Sequence, residues 1–374
     1  MNSTPGDFGS RLTRAVSATV KSGLSGLLIS PGPDLQYLIG YDAVPLERIT
    51  CLVICANGST VLVVPRLEFL AAQASPAGSL GINIVTWDES DDPYALIGDQ
   101  LPRDDSRAYG IDDHMWASKV LQLRAAIPDR DQTLAGPVLQ PLRMTKDAAE
   151  IEALIEAGSA IDRVHAAIPH LLKIGMTEKE AAAAIGAQIL AEGHVRVDFV
   201  IVAAGPNGAS PHHEPSDYHL AVGEPIVIDI GGTMPSGYRS DCTRMYSLGE
   251  PDQDFRRSYA ALLEAQAATV RAVKPGVTTG RLDVIPREIL AEHGLSDYFI
   301  HRTGHGIGLE THEDPYLMAG SELVVEPGMA FSIEPGFYLA GRYGARIEDI
   351  VVCTPEGVRS LNNQPHELTV VEVP

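Results

Sequence analysis

Hydrophobic and polar positions follow two different rhythms along this chain. Between residues 24 and 111 the apolar positions gather in short runs rich in Val, Ile and Leu: residues 24–30, 49–55, 60–64, 82–87 and 107–111. Runs of this length, bounded by Gly, Pro, Asn and Asp, predict strands. Asn57-Gly58, between the second and third runs, predicts a tight hairpin. Residues 1–24 predict a lead-in helix, Pro33–Ile39 a short helix after the Pro31-Gly32-Pro33 turn, and the acidic stretch 88–105 a loop-rich segment. Beyond residue 145 the rhythm becomes helical: Ile151, Leu154, Ile155, Gly158, Ile161, Val164 and Ile168 share one stripe. Thr145 is the expected N-cap, and Pro169 the point where that helix kinks or stops. Gln140-Pro141-Leu142 is the expected hinge between a domain of residues 1–140 and a second of residues 141–374.

The second half contains a repeat of this pattern. Lys173-Ile174-Gly175-Met176-Thr177 runs on to Gly193, and Lys274-Pro275-Gly276-Val277-Thr278 runs on to Gly294. The offset is 276 − 175 = 101, and 294 − 193 = 101 at the other end. Each copy reads helix, Gly-Thr turn, helix, glycine stop, and then strands. The strand motifs ending at Gly231 and Gly336 are 336 − 231 = 105 apart, so a few residues were inserted. Two α+β halves in matching order predict a pseudo-twofold domain with its site between the halves.

Composition narrows the class. The chain of 374 residues is 45% hydrophobic and 21% charged, ordinary for a globular protein. Its net charge, 28 − 49 = −21, repels phosphate backbones and anionic lipid surfaces, so neither nucleic acid nor membrane is an expected partner. Four cysteines without framework or zinc-knuckle spacing read as free buried thiols. The N-terminal segment has no apolar h-region and no run approaches a membrane span, so a cytoplasmic location is expected.

Candidate chemistry is concentrated in the second half. Asp229 lies in the apolar run Ile226 to Ile230, and Asp241 follows after a glycine-rich linker that lets two strands pair with both carboxylates on one face. Glu334 and Glu348, separated by Gly341 and Gly344, repeat the arrangement. His305 sits in His301-Arg302-Thr303-Gly304-His305-Gly306-Ile307-Gly308. A carboxylate among Val, Ile and Phe must be paired, hydrogen-bonded or metal-bound. Four brought together would repel strongly unless cations separate them. Four oxygen donors and one imidazole suit manganese, cobalt or iron, with zinc possible. Two cations bridged by Asp241 and Glu348 would use all five groups. Other motifs fail. His301 and His305 have zinc-protease spacing, but glycines break the helix and position 302 is Arg. The glycines around His305 lack dinucleotide-fingerprint spacing, and no serine or cysteine elbow is evident.

These residues resemble a family. Ile228-Asp229-Ile230-Gly231, Gly237-Tyr238-Arg239-Ser240-Asp241-Cys242-Thr243-Arg244, His301 to His305 with His312-Glu313, Ser332-Ile333-Glu334-Pro335-Gly336 and Arg346-Ile347-Glu348-Asp349 resemble the motifs of the "pita-bread" metallopeptidases. Leu35-Gln36-Tyr37-Leu38-Ile39-Gly40-Tyr41 is similar to the creatinase/prolidase N-terminal domain. That domain points to the proline-peptidase branch, prolidase or aminopeptidase P. The implied fold is α+β: a smaller α/β creatinase-type domain followed by a pita-bread domain.

The resemblance implies roles by position. Asp229 would hold one of two divalent metal ions, manganese first among them, and His305 and Glu334 the other, with Asp241 and Glu348 bridging. His212, after Pro211, and His312 match the catalytic histidines, and His301 a further active-site histidine; Glu334 would also shuttle a proton. Thr243 would bond the metal-bound water, Tyr338 line the pocket, Arg346 support Glu348, and His213 be structural or lie on the rim. The implied activity is hydrolysis of the Xaa-Pro bond of dipeptides through attack by a metal-bridging hydroxide, in a homodimer. Alternatives are aminopeptidase P action on longer Xaa-Pro peptides, a metal-free creatinase-like amidinohydrolase, and a non-catalytic binding module. A dipeptidase needs a cation for the substrate's C-terminal carboxylate; neither Tyr316 nor the nearby arginines stand out for it in the sequence.

Overall fold

The computed structural model describes residues 6–103 and 105–373. The chain divides into two compact units, Met1–Arg143 and Met144–Pro374.

The first unit is built on a six-stranded mixed sheet. Its order across the sheet is Asn83–Trp87, Thr60–Pro65, Cys51–Cys55, Gly26–Ile29, Tyr109–Ile111, Gln132–Leu134. The Cys51–Cys55 strand is antiparallel to both neighbours, and the hairpin turns at Gly58, whose φ of 91° suits glycine. The lead-in helix is Phe8–Lys21, capped by the Asp7 carboxylate on the Ser10 N–H; residues 1–5 of the expected helix lie outside the described residues. Among its described residues the stretch 88–105 is loop-rich as expected, with one short helix, Pro93–Gly98, which Asp92 caps and Pro93 begins. Residues 140–142, the expected hinge, lie inside the Gly136–Met144 helix, Pro141 included, and the division between the units falls after Arg143.

In the second unit the long helix is Ala148–Leu171. Asp147, not Thr145, caps it, because Asp147 and Glu150 form a reciprocal capping box. Pro169 is accommodated in the last turn, and the helix ends two residues later. The repeat is a physical one. Thr177 and Thr278 both cap helices, Glu178–Ala191 and Thr279–Glu292. Gly175 and Gly276, and Gly193 and Gly294, all have positive φ. Thr177 bridges His219 and Thr278 bridges Val324, which reproduces the second offset, 324 − 219 = 105.

The first copy supplies three strands of a four-stranded sheet whose fourth comes from the C-terminal end of the chain; the order is Thr369–Val371, Arg239–Leu248, Pro225–Thr233, Arg196–Ala204. The second supplies a five-stranded sheet, ordered Glu313–Leu317, Gly304–Gly306, Ala330–Ile333, Asp349–Thr354, Gly357–Ser360. Side-chain alternation sorts the central strand. Ile226, Ile228 and Ile230 pack with Ile161, Ile185 and Ile189 of the helices, while Val227 packs with the opposite cluster. Asp229 shares the Val227 face, so the same alternation that builds the core presents its carboxylate to the other side.

Candidate active site

The Pro225–Thr233 and Arg239–Leu248 strands pair with Asp229 opposite Thr243 and Gly231 opposite Asp241. Asp229 and Asp241 are therefore diagonal neighbours on one face, as the sequence implied. The second pair is built differently. Ser332 pairs with Ile350 and Ile333 with Asp349, which leaves Glu334 and Glu348 just past the ends of adjacent strands. The segment between them folds away as a separate ribbon, Gly336–Leu339 with Tyr343–Arg346. Gly341 turns this ribbon, and Gly344 lies against the Gly208 carbonyl, where a Cβ would stand 2.0 Å from the oxygen.

All the expected ligands converge. Ligand atoms of Asp229, Asp241 and Glu348 lie within 4.8 Å of one another, as do those of His305, Glu334 and Glu348, and those of Asp241, His305 and His312. His305 Nδ1 lies 3.1 Å from the Gly306 carbonyl, an acceptor only, so this nitrogen carries the proton. Nε2 faces Glu334 Oε1 at 3.1 Å and Asp241 Oδ2 at 3.7 Å, and such a contact needs either a proton on Nε2, which makes His305 the charged hydrogen-bond partner of Glu334, or a cation between the groups.

The electrostatics agree. Burial, then the neighbouring carboxylates, push Asp241 and Glu348 well above the ordinary carboxylate range. Burial also raises Asp229, against the pull of Arg346. Burial opposes ionisation of Glu334 as well, but the hydrogen bond and charge of His305 outweigh it and hold this group low. Two acceptors at the centre, Asp229 Oδ1 and Glu348 Oε1, are buried without a hydrogen-bond partner. Unsatisfied buried oxygens of this kind, in an oxygen-rich set with one oriented imidazole, fit hard divalent cations.

Around the cluster, a cavity of about 890 Å³ is lined by residues including His212, His213, His301, His312 and Arg302. His212 and His213 sit in a turn after the Gly205–Ala209 helical turn, not on an extended strand. What separates them is partnering: His213 Nε2 meets buried Glu178 at 2.7 Å. The His312 ring lies 3.9 Å from that of His305, and partial burial together with the His305 charge lowers its pKa to about 4. Both ring nitrogens of His301 are engaged, Nδ1 with the Arg302 carbonyl at 2.7 Å and Nε2 with the Tyr338 hydroxyl at 2.9 Å.

Two supporting residues tie the ligands together, with Arg346 reaching Glu348 through Thr243. Arg346 donates to Asp229 Oδ2, Thr243 Oγ1 and the Tyr338 hydroxyl rather than to Glu348. Thr243 donates to Glu348 Oε2 at 2.9 Å, so its proton is already committed to a carboxylate. The first unit also brings together Asp34, Asp112 and His114, a grouping with no signal in sequence spacing. Arg143 engages Asp34, and Ser30 and the His114 N–H satisfy Asp112.

A paired helix-and-strand repeat enclosing five acidic and imidazole donors defines a metallopeptidase site. Residues 152–355 match metallopeptidase family M24, and residues 11–145 match the creatinase/prolidase N-terminal domain. The chain belongs to metallopeptidase family M24, and the fold expected from its motifs is borne out. It is 52% identical over 366 residues to the probable dipeptidase PepE of Mycobacterium tuberculosis, covering 98% of this chain and 97% of that one. It is 33% identical over 359 residues to the Xaa-Pro dipeptidase of Lactobacillus delbrueckii subsp. lactis, covering 94% of this chain and 96% of the relative. The crystal structure of dipeptidase PepE from Mycobacterium ulcerans matches with a TM-score of 0.94 at 51% identity, covering 98% of each chain.

Proposed function

We propose that this protein is a dipeptidase that cleaves the Xaa-Pro bond of dipeptides in a site holding two divalent cations, manganese first among them. The observation that carries this reading is the pair of unpartnered buried oxygens, Asp229 Oδ1 and Glu348 Oε1, beside the oriented Nε2 of His305. Asp229 would hold one cation and His305 and Glu334 the other, and Asp241 and Glu348 would serve both. When bound, the cations supply an activated water and polarise the scissile carbonyl.

The chain's own residues do the rest. Glu334 takes a proton from the attacking water and delivers it to the leaving nitrogen. The scissile nitrogen is proline's own ring nitrogen and carries no N–H, so the amide itself brings no donor. His212 and His312, both on the cavity wall, donate toward the oxygen on which charge develops. His301 shapes the wall, held by Tyr338 and the Arg302 carbonyl.

The names of the relatives support the dipeptide substrate, and the N-terminal domain supports the proline branch. A cytoplasmic homodimer belongs to the same proposal; light scattering giving a particle of about 40 kDa would contradict the dimer. The test of the activity is a panel of Xaa-Pro dipeptides against Xaa-Pro-Yaa tripeptides with manganese added. Dipeptides are the expected substrates; faster cleavage of the tripeptides would make the protein an aminopeptidase P.

A further inference from the structure

Two arginines line the cavity, and they differ in one respect. Arg346 is buried and fully engaged by Asp229, Thr243 and Tyr338. Arg302 is half-buried, and among the described residues its guanidinium has no hydrogen-bond or ion-pair partner. Its carbonyl is used by His301, but its charged end sits over the Tyr316 ring, 3.9 Å from the centroid. In a chain with 49 acidic side chains against 28 basic ones, this cavity-facing cation has no acid paired with it among the described residues. Glu313, on the same strand as Tyr316, is already paired with Lys146.

The register locates this cation. Tyr316 lies directly opposite His305 on the paired strands. Directly opposed residues of an antiparallel pair project to the same face, with Cβ atoms about 5 Å apart. Arg302, stacked on Tyr316, is therefore one ring removed from His305. Stacking on an aromatic face fixes a guanidinium while leaving its N–H edge free for a carboxylate. A dipeptide is at most about 7 Å long. With its scissile bond at the His305 cluster, its C-terminal carboxylate is one residue away.

We infer that Arg302 binds the C-terminal carboxylate of the dipeptide and thereby sets the length of the substrate. The inference rests on the dipeptidase reading above. In a longer peptide an uncharged amide would occupy this place, and the guanidinium would lose its ionic partner, which is a penalty a site can use for discrimination. Tyr316 is a positioning residue that holds the guanidinium plane.

The test compares kcat/KM of the manganese-loaded full chain on Ala-Pro and on Ala-Pro-amide, which differ only in the terminal charge. The wild type is expected to prefer the acid by about 10²-fold, the scale of a charge-assisted hydrogen-bonded contact. Arg302→Met should bring Ala-Pro down to the level of the amide and leave the amide rate within about threefold. Arg302→Lys should keep part of the preference. Should the Met variant fail to fold, Arg302→Gln makes the same comparison. Equal wild-type rates on acid and amide, or a variant that slows both substrates alike, would overturn the assignment while the dipeptidase reading stands. A wild type that cuts neither Ala-Pro nor Ala-Pro-Ala would overturn both.

Discussion

Arg346 donates to Oδ2 of Asp229 across 117 residues of sequence, tying the ribbon of the second copy to the central strand of the first. The contact leaves Asp229 Oδ1 as the unpartnered oxygen. The guanidinium thus orients the carboxylate, and it also offsets part of the negative charge of the cluster when no cation is bound. Removing one partner of a buried ion pair costs about 3–5 kcal/mol. Arg346→Met should accordingly lower the stability of the metal-free protein by that order in a urea titration. A change below about 1 kcal/mol would show that the pair orients nothing.

Asp241→Ala should abolish activity and remove bound metal, since the shared carboxylate serves both cations. His301→Ala should lower turnover while keeping the metal content, because both its ring nitrogens face protein groups. Metal analysis by plasma mass spectrometry on both variants distinguishes the two roles. Two metals per chain in Asp241→Ala would contradict the shared assignment.

The neighbouring histidines 212 and 213 should separate in their effects. His212→Ala should lower kcat by about 10²-fold with unchanged metal content, the scale of one lost donor at a developing oxyanion. His213→Ala removes a partner of buried Glu178, which retains donors from Ala204, Asn207 and Ser216, so the loss should fall on stability. Steady-state kinetics and thermal melts of both variants check this; the reverse ranking in kcat would exchange the two roles.

Acid stability should carry the signature of His165. Burial, then the nearby Arg244, lower this imidazole to about 3. An unfolded histidine titrates near 6.5, so below that pH the unfolded chain binds one more proton than the folded one. The contribution is therefore complete above pH 6.5 and is lost as pH falls toward 3, by about 1.4 kcal/mol per pH unit. His165→Gln should flatten the stability-against-pH curve between pH 6.5 and 4 by about one proton relative to wild type. Parallel curves for the two proteins would contradict it.

Much of the architecture is written locally. Gly175 and Gly276 mark left-handed turns, and Thr177 and Thr278 cap the helices that follow, so the repeat was legible as spacing. Asp229 was legible because an acid inside an apolar run is costly without a partner. Asp147 was legible too: its capping box with Glu150 is a spacing of three, a stronger signal than Thr145 alone. What stayed hidden depends on contacts between distant residues. The separate Gly336–Leu339 ribbon follows from where the flanking strands end, and the commitment of Arg346 to Asp229 from how the two copies pack. That the Arg302 guanidinium has no partner among the described residues is a property of its surroundings, since nothing in its neighbours along the chain says which acids are already paired. The separation of His212 from His213 rests on Glu178, 35 residues upstream of His213.

The most direct measurement is the rate of Ala-Pro hydrolysis as chelator-treated protein is titrated with manganese. Negligible activity without metal, rising to a plateau at two equivalents per chain, is the expected result. Hydrolysis that survives chelation, a plateau at one equivalent, or no cleavage at any metal concentration would contradict a two-cation Xaa-Pro dipeptidase.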